Sequence, residues 1–135
     1  SPNDLHYEEI DQTTGLITAE GETPYHGDYS MIPPIRVSVD GSLVLIGSGD
    51  LFDANDMTWV AALPRQVTDM EWLNDGRIVS IRPNGADTAL ETYDASYQVA
   101  TSAVVDGLPT SMHRYGDTIV IVTEASIPAF TVVTP

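Results

Sequence analysis

Tyr25, His26, Asp28 and Tyr29 stand together in the run P-Y-H-G-D-Y. Two aromatic rings can stack on a sugar or another flat ligand, and an imidazole beside a carboxylate can hold polar groups or a metal ion. Gly27 lets the backbone turn so that the side chains on either side converge. The run sits in a link of 14 residues, Gly21–Pro34, whereas the comparable link after Leu63 is only a few residues long. Long links in compact domains are often binding loops. Tyr25, His26, Asp28 and Tyr29 are therefore the candidate ligand-binding residues, with a carbohydrate or a protein as the ligand. The plainer explanation is a loop packed on itself, its rings covering a sheet edge and His26 bonded to Asp28.

Other groups carry weaker signals. Asp50, Asp53, Asn55 and Asp56 could hold calcium through oxygen atoms, but the spacing of a calcium loop fails at Met57. The recurrence of the same Asp at 11, 53 and 94 argues instead for a turn-forming task. His6, His26 and His113 are scattered, and no H-x-x-x-H pair is present. No metal centre and no cofactor is expected from these spacings. Ser48 lies in G-S-G and not in the G-x-S-x-G of a nucleophile elbow. Glycine-rich phosphate loops are absent. Acids are numerous enough to supply a glycosidase pair, but spacing assigns none, so no catalytic residue is named.

The charge balance narrows the partners. Twenty acidic and five basic residues give a formal net charge of −15 in a chain of 135 residues. All five basic residues are arginines: Arg36, Arg65, Arg77, Arg82 and Arg114. Such a surface repels phosphate backbones and anionic lipids, which excludes nucleic acid as an expected partner. No apolar run approaches the length of a membrane span, so membrane insertion is not expected. Cysteine is absent, which removes disulfides and thiol chemistry. That fits either side of a membrane, with an extracellular or periplasmic location favoured. Ser1-Pro2 could begin a processed or trimmed chain.

The elements that position these residues read as strands. Arg36–Val39 ends at Asp40-Gly41, a hairpin signal because glycine accepts positive φ at little cost. Leu43–Ile46 is an unbroken apolar run, as in a strand covered on both faces. Asp50–Asp53 and Thr58–Leu63 follow, separated by the turn residues Ala54-Asn55-Asp56. Four strands in so short a stretch leave no room for a helix. Trp59, Trp72, Phe52, Phe130 and the Val/Ile runs are most simply the packing between sheets.

The pattern repeats. A large apolar residue precedes Asp11, Asp53 and Asp94, spaced 42 and 41 residues apart. A second series, Asp40-Gly41, Asp75-Gly76 and the reversed Gly116-Asp117, has spacings of 35 and 41. Two interleaved series with a common period near 40 mark a repeat architecture. The predicted units are a partial one at 5–20, full ones at 35–63 and 67–105, and a partial one at 110–134, within a single domain, 1–135. Strands are expected near VTDMEW, RIVSIR, TALETY and QVATSAVV in the second full unit. In the last unit they are expected near TSMHRY, TIVIVT and PAFTVV. Pro34, Pro64 and Pro109 are expected just ahead of first strands.

Ser38-Val39-Asp40-Gly41, Leu73-Asn74-Asp75-Gly76 and Asp11-Gln12-Thr13-Thr14-Gly15 resemble the turns of β-propeller blades, closest to the YVTN-like and related bacterial repeats. The resemblance covers nearly the whole chain. It implies an all-β, propeller-like array of four-stranded antiparallel blades, about three per chain. It is specific for a fold and silent on activity.

Three units are too few to close a ring. The expectation is self-association head to tail, the first strands of one chain completing the last blade of the next, so that a homodimer forms about six blades. A fragment of a larger propeller and a chain folded back as a sandwich are the alternatives. The expected function is a non-catalytic binding or scaffolding module. The alternative is a hydrolytic enzyme acting on a sugar or ester at the 21–34 loop and the channel mouth.

Overall fold

The computed structural model describes residues 4–125. Phe130 and the strand expected near PAFTVV lie outside them. The described residues form twelve strands and no helix, arranged as four separate antiparallel sheets. Contacts cluster into two compact units, one up to Gln66 and one from Val67.

The first unit holds the hairpin of β1 (His6–Ile10) and β2 (Ile17–Glu22). It also holds a four-stranded meander of β3 (Ile35–Val37), β4 (Leu43–Ile46), β5 (Asp50–Asp53) and β6 (Trp59–Ala62). The first strand of the meander is shorter than predicted because Ser38 and Val39 enter the turn. Ser38 N–H donates to the Leu43 carbonyl, and Gly41 N–H to the Ser38 carbonyl, both at 2.9 Å. Gly41 has φ 75°, the left-handed geometry this turn requires. Val44, Leu45 and Ile46 of β4 are all buried, as expected of a strand covered on both faces. Leu5, Val44, Ile46, Phe52 and Met57 form one core, with Tyr7, Tyr25, Tyr29 and Met31 packed against it. Gly47 is fixed by close approach: its N–H donates to the Ile32 carbonyl at 2.7 Å, and a Cβ there would collide with the Pro33 carbonyl.

The second unit holds a meander of β7 (Asp69–Trp72), β8 (Ile78–Asn84), β9 (Asp87–Tyr93) and β10 (Val99–Val105). The hairpin of β11 (Leu108–Tyr115) and β12 (Thr118–Glu124) follows, with β11 packed against β7, β8 and β9. Val79, Ile81 and Met112 form the core between them, with Leu90, Ile119 and Ile121 against it. Asp69 is buried and fastens the two sheets: Oδ1 accepts Met70 N–H at 2.9 Å, and Oδ2 accepts Met112 N–H at 2.8 Å. Pro109, expected ahead of its strand, is the second residue of β11. The pairing register shifts between Pro109 and Ser111, and such a bulge tolerates a residue with no N–H.

The Asp turns repeat in atomic detail. Asp11 Oδ1 accepts Thr13 and Thr14 N–H at 2.8 Å, Asp53 Oδ1 accepts Asn55 N–H at 2.8 Å, and Asp94 Oδ1 accepts Ser96 N–H at 2.8 Å. Each turn ends on a residue with positive φ: Gly15 at 71°, Met57 at 57° and Tyr97 at 61°. Each joins the last two strands of its sheet or hairpin, so the repeated Asp marks a shared Asp-capped turn, one residue shorter at Asp94.

Candidate functional site

The mouth of the β1–β2 hairpin and the link that leaves it bring polar side chains together. Alternation along the chain entering β1 sends Leu5 and Tyr7 to the core and leaves Asp4 beside His6. Leu5 enters the core, and Tyr7 lies over Gly21, where any Cβ would strike the ring. The register pairs His6 with Glu22 directly across the hairpin. Thr23 extends the pairing: its N–H donates to the Leu5 carbonyl at 2.9 Å, and its Oγ1 accepts Leu5 N–H at 3.3 Å. One atom each from the Asp4 carboxylate, the His6 ring and the Glu22 carboxylate lie within 4.8 Å of one another. His6 Nε2 is 3.6 Å from Glu22 Oε2. The Asp4 side chain is only 4% exposed, and its buried Oδ1 has no hydrogen-bond partner among the described residues.

Beyond Thr23 the link turns inward. Tyr25 Oη accepts Trp59 N–H at 3.0 Å. The Tyr25 and Tyr29 rings meet edge to face at 4.9 Å, and Tyr29 stands edge-on to Phe52 at 5.5 Å. Tyr29 also stacks on Trp59. Burial of its ring, then the neighbouring Tyr25 and the Asp50 and Asp28 carboxylates, push the Tyr29 phenol above its ordinary range. His26 and Asp28 are exposed. His26 Nδ1 faces Asp4 Oδ2 at 3.7 Å, so its acidic neighbour is Asp4 and not the expected Asp28. Of the four candidates, the two rings turn onto the sheet and one polar group turns toward the hairpin mouth.

The acidic group at 50–56 does not converge. Asp50 accepts Ser48 Oγ–H at 2.7 Å and Trp59 Nε1–H at 3.0 Å. Asp53 accepts the Asn55 backbone and side-chain N–H, and Asp56 accepts Thr58 Oγ1–H at 2.6 Å. Asp53 and Asp56 close their own turns, and Asp50 ties the Ser48 turn to Trp59 on the neighbouring strand. Ser48 is committed to Asp50, and His113, exposed on β11, pairs with Ser111 Oγ at 2.9 Å.

The second unit carries a polar chain that no spacing announced. Arg82 donates to Glu91 through Nη2 at 2.8 Å and through Nε at 3.2 and 3.3 Å. Tyr93 Oη donates to Glu91 Oε2 at 3.2 Å and meets Ser80 Oγ at 2.8 Å. A cleft of about 230 Å³ lies between the turns at 73–75 and 116–117. Its polar groups are already paired: Arg114 Nη1 donates to Asn74 Oδ1 at 2.6 Å, Asn74 Nδ2 donates to Asp117 Oδ1, and Asp75 holds Arg77. Asp4 and Glu22 were not singled out in the sequence. The D-x-H spacing at 4–6 before a β-prone run was the available signal, whereas Glu22 becomes a neighbour only through strand register.

Compared with family models, with curated proteins and with solved structures, the chain matches none.

Proposed function

We propose that the chain is a non-catalytic binding or scaffolding module whose sheets are propeller-type blades, assembling head to tail with copies of itself into a closed ring. The observation that carries this reading is the repetition of one unit. Two consecutive four-stranded meanders have the same strand order, the same Asp-Gly first turn and the same Asp-capped last turn. Among the described residues the remaining sheets are two-stranded hairpins. A lone hairpin is marginal in water, and three or more strands with an apolar face are needed for independent stability. Both hairpins expose large apolar side chains: Ile10, Leu16 and Ile17 on the first, Leu108, Val120 and Val122 on the second. Those exposed side chains suit a second copy of the chain. Two chains would then supply about six blades, within the usual range of about four to eight. Ser48 is committed to Asp50, and the Tyr25 and Tyr29 rings to the sheet, which favours a scaffolding role over catalysis.

The test is solution mass by light scattering. Two or more chains per particle at micromolar concentration is the expected result, and Val120→Asp on β12 should release monomers. A well-folded wild-type monomer at that concentration would overturn the assembly.

A further inference from the structure

The mouth of the first hairpin has the composition of a metal site. Asp4, His6 and Glu22 each present one donor atom, and the three atoms lie within 4.8 Å of one another. They are held by two independent constraints. Asp4 lies two residues before His6, just ahead of β1, where the Leu5–Thr23 bonds hold the chain in line with the hairpin. Glu22 is paired to His6 by the hairpin register. Thr23, itself wholly buried, locks that register at Leu5.

A second observation points to an occupant. The Asp4 side chain is 96% buried, its exposure being 4%, yet Oδ1 has no partner among the described residues. An unpaired buried carboxylate oxygen is costly, and buried charges are ordinarily paired or coordinate metals. The surrounding groups do not relieve it. His26 approaches the other oxygen, Oδ2, at 3.7 Å, and the facing Glu22 is also an acid.

We propose that Asp4, His6 and Glu22 bind one divalent transition-metal ion of the Zn²⁺ type. The donor set selects the class. An imidazole nitrogen with two carboxylates favours Zn²⁺ over Ca²⁺ and Mg²⁺, which take oxygen ligands. Metal–ligand bonds of about 2.0–2.2 Å in a tetrahedron place neighbouring donors roughly 3.3–3.6 Å apart. The His6–Glu22 separation of 3.6 Å already meets that edge. The Asp4 donor lies within 4.8 Å of both. His6 and Glu22 side chains are 70% and 46% exposed, so the fourth position faces solvent and takes water. Two carboxylates against one doubly charged cation leave the site neutral. The ion clamps the start of β1 to the end of β2, independently of whether chains assemble.

The experiment is calorimetric titration of the whole chain with ZnCl₂, and separately with CaCl₂ and MgCl₂. One Zn²⁺ per chain with micromolar affinity is expected, with Ca²⁺ and Mg²⁺ at least tenfold weaker. His6→Ala, Asp4→Asn and Glu22→Gln should each weaken Zn²⁺ binding by tenfold or more, and His113→Ala should leave it unchanged. A second measurement needs no variant: Co²⁺ added to the wild type should shift or broaden the His6 ring resonances and leave those of His113 in place. Absence of Zn²⁺ binding at millimolar concentration would overturn the site. So would unchanged binding in a folded His6→Ala chain, Ca²⁺ binding as tight as Zn²⁺, or Co²⁺ effects confined to other histidines.

Discussion

Tyr29 lies flat against Trp59, with ring centroids 6.1 Å apart and planes 10° from parallel. Thirty residues separate them in the chain, and the contact fastens the long link to the outer strand of the first meander. Phe52 stands edge-on to the same tyrosine. Removing a large aromatic from such a position costs about 2–4 kcal/mol through lost burial and an imperfectly filled space. Tyr29→Ala should therefore lower the urea midpoint clearly, while Tyr29→Phe should retain most of the stability. A double-mutant cycle with Trp59→Ala should return a coupling of about 0.5–1.5 kcal/mol for the stacked pair.

The three Asp turns make a natural comparison of left-handed residues. Gly15 has open space around a Cβ position, so Gly15→Ala is charged only for its backbone conformation, about 1 kcal/mol. Tyr97 holds the corresponding conformation with a side chain. Tyr97→Gly relieves that backbone cost and should leave stability unchanged or raise it by up to about 1 kcal/mol. Met57 differs because its side chain is buried in the first core. Met57→Gly should destabilise by about 2 kcal/mol or more, since lost packing exceeds the backbone relief. Denaturant unfolding of the three variants tests the ordering.

Asp40 gathers three hydrogen bonds on one carboxylate oxygen. Ser38 and Ser42 hydroxyls each donate to Oδ1 at 2.7 Å, and Ser42 N–H donates at 3.0 Å. These bonds hold its pKa down, from 3.8 to about 2. Because the folded value is the lower one, the stabilisation is present above 3.8 and is lost as pH falls toward about 2. The Asp40 carboxyl resonance should titrate with a midpoint near 2, and Ser38→Ala should move the midpoint upward. A midpoint at the ordinary carboxylate value would contradict the hydrogen-bonded turn.

The features readable from sequence were those set by local chemistry. Asp40-Gly41 and Asp75-Gly76 turn the chain through bonds spanning three residues, so the hairpins could be placed from neighbours alone. The same holds for the turn-forming task of Asp11, Asp53 and Asp94. What escaped depends on register or on long-range packing. Glu22 meets His6 only after the β1–β2 pairing, bulged between Glu9 and Ile10, is fixed. Tyr25 accepts a hydrogen bond from Trp59, 34 residues away. Met112 N–H finds Asp69 across 43 residues. No local spacing encodes these meetings. For the same reason, the run Tyr25–Tyr29 is compatible in sequence with both a binding loop and a self-packed one, and only the long-range contacts to Phe52 and Trp59 place its rings on the sheet.

The buried chain Arg82–Glu91–Tyr93–Ser80 supplies the sharpest test of the second unit. The Glu91 side chain is 4% exposed and the Arg82 side chain 19%, so their ion pair is largely withdrawn from water. Breaking such a pair by removing one member costs about 3–5 kcal/mol, because desolvated partners lose their counterpart. Glu91→Ala should lower stability by that amount, and it also removes the acceptor of the Tyr93 hydroxyl. Tyr93 reports on the same environment through pH. Burial pushes its phenol above the ordinary 10.0, the Glu91 charge adds to this, and the Ser80 bond and Arg82 act the other way. With the folded value raised, the contribution is complete below pH 10.0 and is lost as pH rises through the folded value. Unfolding measured at pH 8 and at pH 11 should show a fall in wild-type stability that is smaller in Tyr93→Phe. That variant should also cost about 1 kcal/mol at pH 8, where only the hydroxyl's hydrogen bonds are removed. An equal fall in both proteins would mean that the Tyr93 ring is not held neutral by its surroundings.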